Sequence, residues 1–172
     1  MDPATRAFTD ELVSGLLERC ALECSVPIIA IGGSMGGYSA LVYTALSAHH
    51  VAACAANCPV CDLPFHYTER PDLPRTMHQA FGSYGDISVA LLAHSPLHLA
   101  GTGKMPAIPY LIIHGDQDTA VNKAAHSDKL VLALRAQGLT VDYREQVGMG
   151  HCGPFDWALQ RRMTEFVLEQ VQ

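Results

Sequence analysis

The sequence predicts an α/β fold, with a mostly parallel sheet of about four strands and helices on both faces. Three observations support this class. Helical and extended patterns alternate along the chain, as in strands joined by crossover helices. The first extended runs are short and continuously apolar, which is typical of strands buried on both faces. Apolar residues make up 49% of the 172 residues, so one domain, residues 1–172, can form a packed core.

The N-terminal part predicts a helix, a strand, a helix and a strand in turn. The first helix begins at Asp2-Pro3, a capping residue followed by proline at the first helical position. Residues 26–31 predict a strand that ends at Gly32-Gly33, residues 35–49 a helix, and residues 51–58 a second strand. The apolar residues of the first helix recur every four positions and form one stripe over about five turns: Phe8, Leu12, Leu16, Cys20 and Cys24.

Residues 59–105 predict a short cap-like insertion between the second and third strands. We expect residues 59–75 to be irregular because they include four prolines. We expect two short helices within residues 73–93, split by the glycine-containing residues 82–85. A further irregular stretch is predicted to begin at Ser95-Pro96.

The C-terminal part predicts two more strands and two more helices. Residues 109–114 predict the third strand, and residues 123–137 a helix with glycine at its C-terminal end. Residues 140–147 alternate between apolar and polar side chains and predict a fourth strand near the sheet edge. A last helix begins at Pro154.

The strongest functional signal is Gly32-Gly33-Ser34-Met35-Gly36, where a buried strand gives way to a helix. This is the context of a nucleophile elbow, a strained turn that projects a serine hydroxyl from the sheet. The helix directs N–H groups to the same place, so the N–H of Met35 is a candidate oxyanion donor. The alternative is a glycine-rich turn without catalysis. A dinucleotide-binding turn is disfavoured because the G-x-G-x-x-G spacing is absent.

A serine nucleophile needs a base and an orienting acid, and in this kind of fold they follow in the order acid, then histidine. Asp118 follows the third strand, where its loop can bend toward the base, whereas Asp116 falls inside the turn and is the weaker candidate. His151 follows the fourth strand and has glycines on both sides. The alternative for each is a capping or loop role. We expect His114 to pack or bond locally.

These segments resemble the prolyl-oligopeptidase type of serine hydrolase, within the α/β-hydrolase superfamily. The resemblance rests on Gly32 to Leu41, residues 59–62, 95–97 and 114–121, and Gly150-His151, and it covers about residues 26–172. It implies a reduced α/β-hydrolase fold with a triad of Ser34, Asp118 and His151. It also implies that the reaction uses no metal or organic cofactor.

The chain departs from that family before the elbow strand, where only one helix precedes it. The loop that supplies a second oxyanion N–H in the family has no counterpart in residues 1–26. Losing one such donor costs about 2.7–4 kcal/mol of transition-state stabilisation, so we expect weak activity and a preference for activated or short-chain esters. The elbow strand would lie at a sheet edge, which predicts a homodimer or higher assembly through that edge, or a fragment of a longer protein.

Composition excludes other functional classes. The net charge is -6 and no basic cluster occurs, so a nucleic-acid partner is not expected. No apolar run is long enough to span a membrane, and the N-terminus lacks a signal peptide, so we expect a cytoplasmic protein with reduced thiols. Cys54, Cys58 and Cys61 lie near His66, but a zinc site would use two separated pairs, and buried thiols are the favoured interpretation.

The leading hypothesis is a carboxylesterase acting on small-molecule esters, with Ser34 as nucleophile, His151 as base and then acid, and Asp118 orienting His151. A prolyl-oligopeptidase-like peptidase is the second hypothesis, because the motif alone does not separate esters from amides. The third is a catalytically weak or inactive hydrolase fragment, which the missing N-terminal strands would favour.

Overall fold

Four parallel strands form one sheet in the order β1-β2-β3-β4. The computed structural model describes residues 1–20 and 26–171. Each strand lies within two residues of its predicted bounds, and the predicted α/β class is confirmed. The strands are β1 (Ile28–Gly33), β2 (Val51–Asn57), β3 (Tyr110–Gly115) and β4 (Val141–Gln146).

Helices connect the strands, and a 3₁₀ turn over Gly82–Tyr84 follows the fourth helix. Each predicted helix that falls on described residues is present, although most are shorter at their ends than the pattern suggests. The helices are α1 (Pro3–Arg19), α2 (Met35–Leu46), α3 (Leu63–Glu69), α4 (Leu73–Phe81), α5 (Ile87–Ala93), α6 (Pro96–Gly101), α7 (Ser127–Ala136) and α8 (Trp157–Leu168).

Helices cover both faces of the sheet. Successive side chains of a strand point to opposite faces, so one strand contributes to the packing on each side. Tyr110 and Ile112 of β3 pack with residues of α2, α6 and α7 in one cluster. Leu111 and Ile113, the alternate residues of the same strand, pack with Leu159 and Phe166 of α8 in another. The continuous apolar run of β3 therefore serves two cores, and all six of its residues are buried.

The prediction of irregular structure at residues 59–75 and from Ser95 was wrong, because three of the prolines there lie in the first turns of helices. Pro64, Pro74 and Pro96 occupy the first or second position of α3, α4 and α6. The missing N–H of proline costs nothing at that position, since no intrahelical acceptor exists for it. α3 and α4 pack against α2, where Tyr38, Leu63 and Met77 share a cluster, whereas Leu99 of α6 packs in the cluster that contains Tyr110 and Ile112.

The predicted apolar stripe of α1 does not reach the core. Phe8 is 66% exposed and Leu16 51% exposed, and no described residue of α1 is buried. The opposite face contacts the end of α2 through polar side chains: Arg6 donates to the Leu46 carbonyl at 2.6 Å and Ser47 donates to Asp10 at 2.7 Å. Val13 packs against the core from this same face, so the stripe on the other side of the helix faces outward. The Cys24 end of the stripe lies outside the described residues.

The elbow strand β1 lies at the edge of the sheet, as predicted, and pairs with β2. Among the residues that the structure describes, nothing pairs with its other side. Ile31 of β1 is 52% exposed. Exposed strand edges favour pairing with other chains.

Assembly through this edge stays a prediction. We expect light scattering at micromolar concentration to show a dimer or larger species, and Ile31→Lys to shift the protein toward monomer because charge on an edge strand opposes pairing. Leu132→Lys, at an exposed apolar residue of α7, is the matched control and should leave the assembly unchanged. A monomeric wild-type protein would contradict the prediction.

None of the described helices is both long enough and apolar enough to cross a lipid bilayer.

Candidate active site

Ser34 lies at the turn between β1 and α2, in a backbone conformation that most residues avoid. Its φ and ψ are 53° and −121°, and a non-glycine residue with positive φ in such a turn is a strained feature that functional sites often retain. The turn is held by a hydrogen bond from the Ser34 N–H to the Asn57 carbonyl of β2 at 2.8 Å. This tight turn at the end of β1 therefore places the Ser34 hydroxyl at the carboxyl end of the sheet.

Only one of the two glycines that frame Ser34 is needed for close approach. A Cβ added to Gly32 would lie 2.2 Å from the Gly36 carbonyl oxygen, so a side chain cannot fit there. A Cβ on Gly36 would meet nothing within 4 Å. Gly32 is therefore the position where a side chain would collide, and Gly36 contributes the backbone that Gly32 approaches.

The structure brings Ser34, His151 and Asp118 together. His151 Nε2 lies 2.7 Å from Ser34 Oγ, and His151 Nδ1 lies 2.8 Å from Asp118 Oδ2. With Asp118 ionised, Nδ1–H donates to the carboxylate, and Nε2 accepts from the Ser34 hydroxyl. This is the arrangement of a nucleophile, a base and an orienting acid.

Asp118 is held as a carboxylate by the bonds it accepts. Burial alone would raise its pKa, but hydrogen bonds from His151 and from the N–H groups of Val121 and Ala120 outweigh burial and lower the pKa below its usual range. The side chain is fully buried. A buried carboxylate with this many donors keeps its charge at neutral pH and has little freedom to turn away from His151.

Asp116, the weaker candidate acid, bonds elsewhere. Its Oδ1 accepts from the Gly148 N–H at 2.6 Å, which joins the loop after β3 to the loop after β4. It makes no hydrogen bond to His151 in the described part of the chain. Asp116 therefore positions the loop that carries His151, while Asp118 reaches the imidazole.

Gly115 allows these two loops to meet. A Cβ at this position would lie 2.0 Å from the Met149 carbonyl oxygen, two residues before His151. The approach is secured by the Gln117 N–H, which donates to the same Met149 carbonyl at 3.0 Å. The glycine of the His-Gly segment thus brings the acid and the histidine within bonding distance.

We predict that Gly115→Ala lowers the free energy of unfolding by about 1–3 kcal/mol, the usual cost of overpacking a closely packed site. It should also lower activity, because the Met149 backbone must move and His151 follows it. Urea unfolding and ester hydrolysis would measure the two effects. Gly82→Ala, where a Cβ meets nothing within 4 Å, is the matched control, and equal effects of the two variants would contradict the account.

His114 also contacts Asp118, which the sequence did not indicate beyond a local role. Its Nε2 lies 3.1 Å from Asp118 Oδ2 and 3.2 Å from the Val121 carbonyl, and its Nδ1 lies 2.6 Å from Ser127 Oγ. Burial lowers the pKa of His114 despite the neighbouring Asp118 charge, so the ring is neutral. Ser127 then donates to Nδ1, and the single N–H at Nε2 is shared between the Val121 carbonyl, its hydrogen-bond acceptor, and the nearby Asp118 carboxylate. His114 is a positioning residue, because it acts on His151 only through Asp118.

Replacing His114 with phenylalanine keeps the ring but removes this donor. A hydrogen bond to a charged group contributes about 1.5–3 kcal/mol. If roughly half of that stabilisation is lost from the transition state, kcat/KM should fall roughly tenfold. Removing this donor weakens the stabilisation of the Asp118 carboxylate and raises its lowered pKa, so the acid limb of the kcat/KM profile should move to higher pH. Ser127→Ala leaves the Nε2–H in place and serves as the control. An unchanged pH profile in His114→Phe would contradict the positioning role.

An apolar cavity of about 270 Å³ opens beside Ser34 and His151. Its wall comes mainly from α2, α3 and α4, and α3 and α4 each have a proline of the predicted insertion in their first turn. Polar side chains lie at intervals around it. The lining includes Met35, Tyr38, Val60, Leu63, His66, Arg70, Asp72, Leu73, Thr76, Met77, Phe81 and Val121. A cavity of this kind can hold a small, mostly apolar group attached to a carbonyl carbon at Ser34.

Met35 is the first residue of α2 and borders the same cavity. The first N–H groups of a helix have no intrahelical acceptor. The N–H of Met35 is therefore placed beside Ser34, at the positive end of the helix dipole, and its role as an oxyanion donor stays a prediction.

Among the described residues, three groups of side chains lie close enough to hold a metal ion, one around Glu69 and two that include Cys58, and their chemistry disfavours metal binding. Glu69 contacts both His66 and His126, but His126 Nδ1 accepts from the N–H groups of Cys61 and Asp62, each at 3.1 Å. Its Nε2 must then carry the proton, so neither nitrogen has a free lone pair. In the cysteine-rich segment, burial raises the pKa of Cys58 to about 12. That favours the thiol over the thiolate that binds zinc.

The parallel α/β fold, the turn at Ser34, and the neighbouring Asp118 and His151 define the chain as an α/β-hydrolase domain of the serine-hydrolase class. It belongs to the prolyl oligopeptidase family, whose family model, Peptidase_S9, matches residues 25–172. The resemblance noted in the sequence is thereby confirmed. A comparison with curated proteins finds no match.

Solved structures with the same fold include peptidases and esterases. A dipeptidyl peptidase 4 from Porphyromonas gingivalis aligns with a TM-score of 0.68 and 20% identity, over 83% of this chain and 19% of its own. A truncated carbohydrate esterase from gut microbiota gives 0.71 and 19%, over 95% and 66%. An esterase from Thermogutta terrifontis gives 0.58 and 21%, over 83% and 53%. The chain thus spans about a fifth of that peptidase and little more than half of the Thermogutta esterase.

Proposed function

We propose that this chain hydrolyses carboxylic esters of small acyl groups through an acyl-enzyme on Ser34. The observation that carries the proposal is the continuous pair of hydrogen bonds, Ser34 Oγ to His151 Nε2 at 2.7 Å and His151 Nδ1 to Asp118 Oδ2 at 2.8 Å, at the mouth of an apolar cavity. A hydroxyl in this setting can lose its proton to the imidazole as it attacks a carbonyl carbon.

The reaction follows from this geometry. Ser34 Oγ attacks the ester carbonyl while His151 Nε2 takes its proton, and the Asp118 carboxylate stabilises the imidazolium that forms. The N–H of Met35 would donate to the oxyanion. His151 then returns the proton to the leaving alcohol. In the second half, water attacks the acyl group on Ser34 with His151 as base, and the acid is released.

The cavity favours a small acyl group. Its volume is about 270 Å³, near the lower end of the range for ligand sites. One oxyanion donor is expected rather than two, which weakens stabilisation of the tetrahedral intermediate by about 2.7–4 kcal/mol. Esters tolerate this loss better than amides because an alkoxide leaves more readily than an amine. Activated and short-chain esters are therefore the proposed substrates.

A peptidase is the second candidate, and the family match favours it. The matching family is named for an oligopeptidase, and one structural neighbour is described as a dipeptidyl peptidase. Others are described as esterases. At identities of 18–21%, these neighbours support only a shared fold. Whether the substrate is an ester or an amide is therefore decided by experiment.

The deciding experiment compares p-nitrophenyl butyrate with a peptide p-nitroanilide of matched acyl size. The two substrates release chromophores by ester and amide cleavage respectively. We expect measurable kcat/KM for the ester and at least about a hundredfold less for the anilide, consistent with the loss of one oxyanion donor. Faster cleavage of the anilide would overturn the esterase proposal in favour of the peptidase.

A further inference from the structure

Two buried side chains in the wall of the cavity beside Ser34 carry polar groups, the Tyr38 phenol and the His66 imidazole. His66 of α3 is only 6% exposed and lines this cavity. The other fully or nearly buried histidines, His114 and His126, do not line it. Burying an imidazole in an otherwise apolar wall is costly unless its nitrogens find partners.

One nitrogen of His66 is paired and fixes the ring. Nδ1 bonds to the Glu69 carboxylate, which also accepts from His126 Nε2 at 3.1 Å. The His66 and His126 rings meet edge to face with centroids 5.6 Å apart. Hydrogen bonds from His66 and His126 lower the pKa of Glu69 against the effect of burial, so Glu69 is the acceptor and His66 Nδ1 carries the proton.

The other nitrogen is open to the cavity. His66 Nε2 has no hydrogen-bond partner among the described residues. The unpartnered polar side-chain atoms that are sealed from the surface are Tyr38 Oη and Tyr43 Oη, and Nε2 is not one of them. Nε2 therefore keeps an accessible face. Because Nδ1–H points to Glu69, Nε2 is the nitrogen that can carry a lone pair and accept a hydrogen bond.

The polar groups at the exposed rim of the wall already have partners, and the unpartnered Tyr38 Oη is sealed from the surface and so is not available to a ligand. Arg70 Nη2 lies 3.2 Å from Asp72 Oδ2 at the exposed rim, and Thr76 Oγ1 donates to the Asp72 carbonyl at 3.3 Å. The Arg70–Asp72 pair is neutral overall, so the rim does not select for a charged substrate. A neutral hydrogen-bond donor is what the cavity lacks.

We propose that His66 Nε2 recognises the acyl group of the substrate by accepting a hydrogen bond from a hydroxyl or N–H group on it. This rests on the proposed function, because it assigns the acyl group to this cavity. The apolar wall binds the carbon skeleton, and His66 distinguishes acyl groups that carry a donor from those that do not. Sites built to bond a polar substrate group discriminate against analogues that lack it.

The test measures binding to the Ser34→Ala variant, which does not turn over its ligand. Methyl 3-hydroxybutyrate and methyl 3-methylbutyrate differ by a hydroxyl in place of a methyl at one carbon, and methyl 2-hydroxy and 4-hydroxy esters move the hydroxyl along the chain. Methyl N-acetylalaninate supplies an N–H instead and separates the two donor classes. We expect at least one donor-bearing ester to bind about fivefold or more tightly than its isosteric methyl analogue, as one hydrogen bond allows.

Two further variants assign the preference to His66. In the Ser34→Ala background, His66→Phe should remove the preference or reverse it. Thr76→Val, at the same wall, should retain it because its hydroxyl is already bonded to the Asp72 carbonyl. If His66→Phe does not fold, the nitrogen NMR signal of His66 Nε2 in the Ser34→Ala protein gives the same answer, since it should shift with the donor-bearing ester and not with the methyl analogue.

The outcomes separate this inference from the proposed function. Equal binding of every matched pair, tighter binding of the methyl analogues, or a preference that survives in His66→Phe would overturn it, even if the wild type hydrolyses p-nitrophenyl butyrate. A preference that depends on His66 supports it, and this holds even if no ester is hydrolysed, in which case the proposed function alone fails.

Discussion

Replacing Ser34 with alanine is expected to lower kcat for ester hydrolysis by a factor on the order of 10⁶, as removal of a serine nucleophile does when it acts as a unit with its base. No other described hydroxyl is bonded to His151 Nε2. The fold should be unaffected, since the Ser34 side chain makes no capping bond to α2. Initial rates with p-nitrophenyl butyrate, together with a circular dichroism spectrum, would measure both.

The matched control is Ser39→Ala, on the same helix α2 but outside the hydrogen bonds of the site. It should retain the activity of the wild type. If Ser34→Ala retains more than about a hundredth of the wild-type rate, a loss far smaller than removal of a nucleophile causes, hydrolysis occurs elsewhere on the protein and the assignment of Ser34 is wrong.

Asp118→Asn should lower kcat by about 10⁴, the size of effect seen when an orienting acid is converted to its amide. The asparagine amide can donate to His151 Nδ1, which would place the proton on Nε2 and leave no lone pair for the Ser34 hydroxyl. The pH dependence of kcat should change as well, because the carboxylate that stabilises the imidazolium is lost.

Asp116→Asn separates this effect from a general loss of loop order. Asp116 Oδ1 accepts from the Gly148 N–H, and an asparagine oxygen can accept the same bond. We therefore expect less than about a threefold change in kcat, within the range of a weakened hydrogen bond. A larger loss in Asp116→Asn than in Asp118→Asn would reverse the assignment of the acid.

The sequence predicts best where one local pattern has a single structural solution. A short apolar run followed by Gly32-Gly33-Ser34 predicts a strand, a strained turn and a helix, and the structure has all three, although β1 lies at the sheet edge and is not buried. The order of Asp118 and His151 after β3 and β4 brings them to the same sheet edge, since parallel strands end on the same side. Their mutual distances then follow from the close approach at Gly115, which only the structure reveals.

Local patterns are weaker where several solutions compete. A proline ends a helix in one position and begins it in another, and the capping residues Asp62 and Ser95 were the available signal for α3 and α6. The α1 stripe suggested burial, but tertiary bonds from Arg6 and Asp10 decide which face contacts the rest of the chain. The partners of His114 and His66 depend on folded loops and helices, so nine histidines in the sequence could not be ranked by spacing alone.

The most direct measurement for the central claim is labelling with a fluorophosphonate, which reacts with an activated serine, followed by mass spectrometry of the labelled peptide. Wild type should gain one adduct on Ser34, labelling should be lost in Ser34→Ala, and it should be strongly slowed in Asp118→Asn. The absence of Ser34-dependent labelling in the folded wild-type protein would contradict the account and favour a hydrolase fold without catalysis.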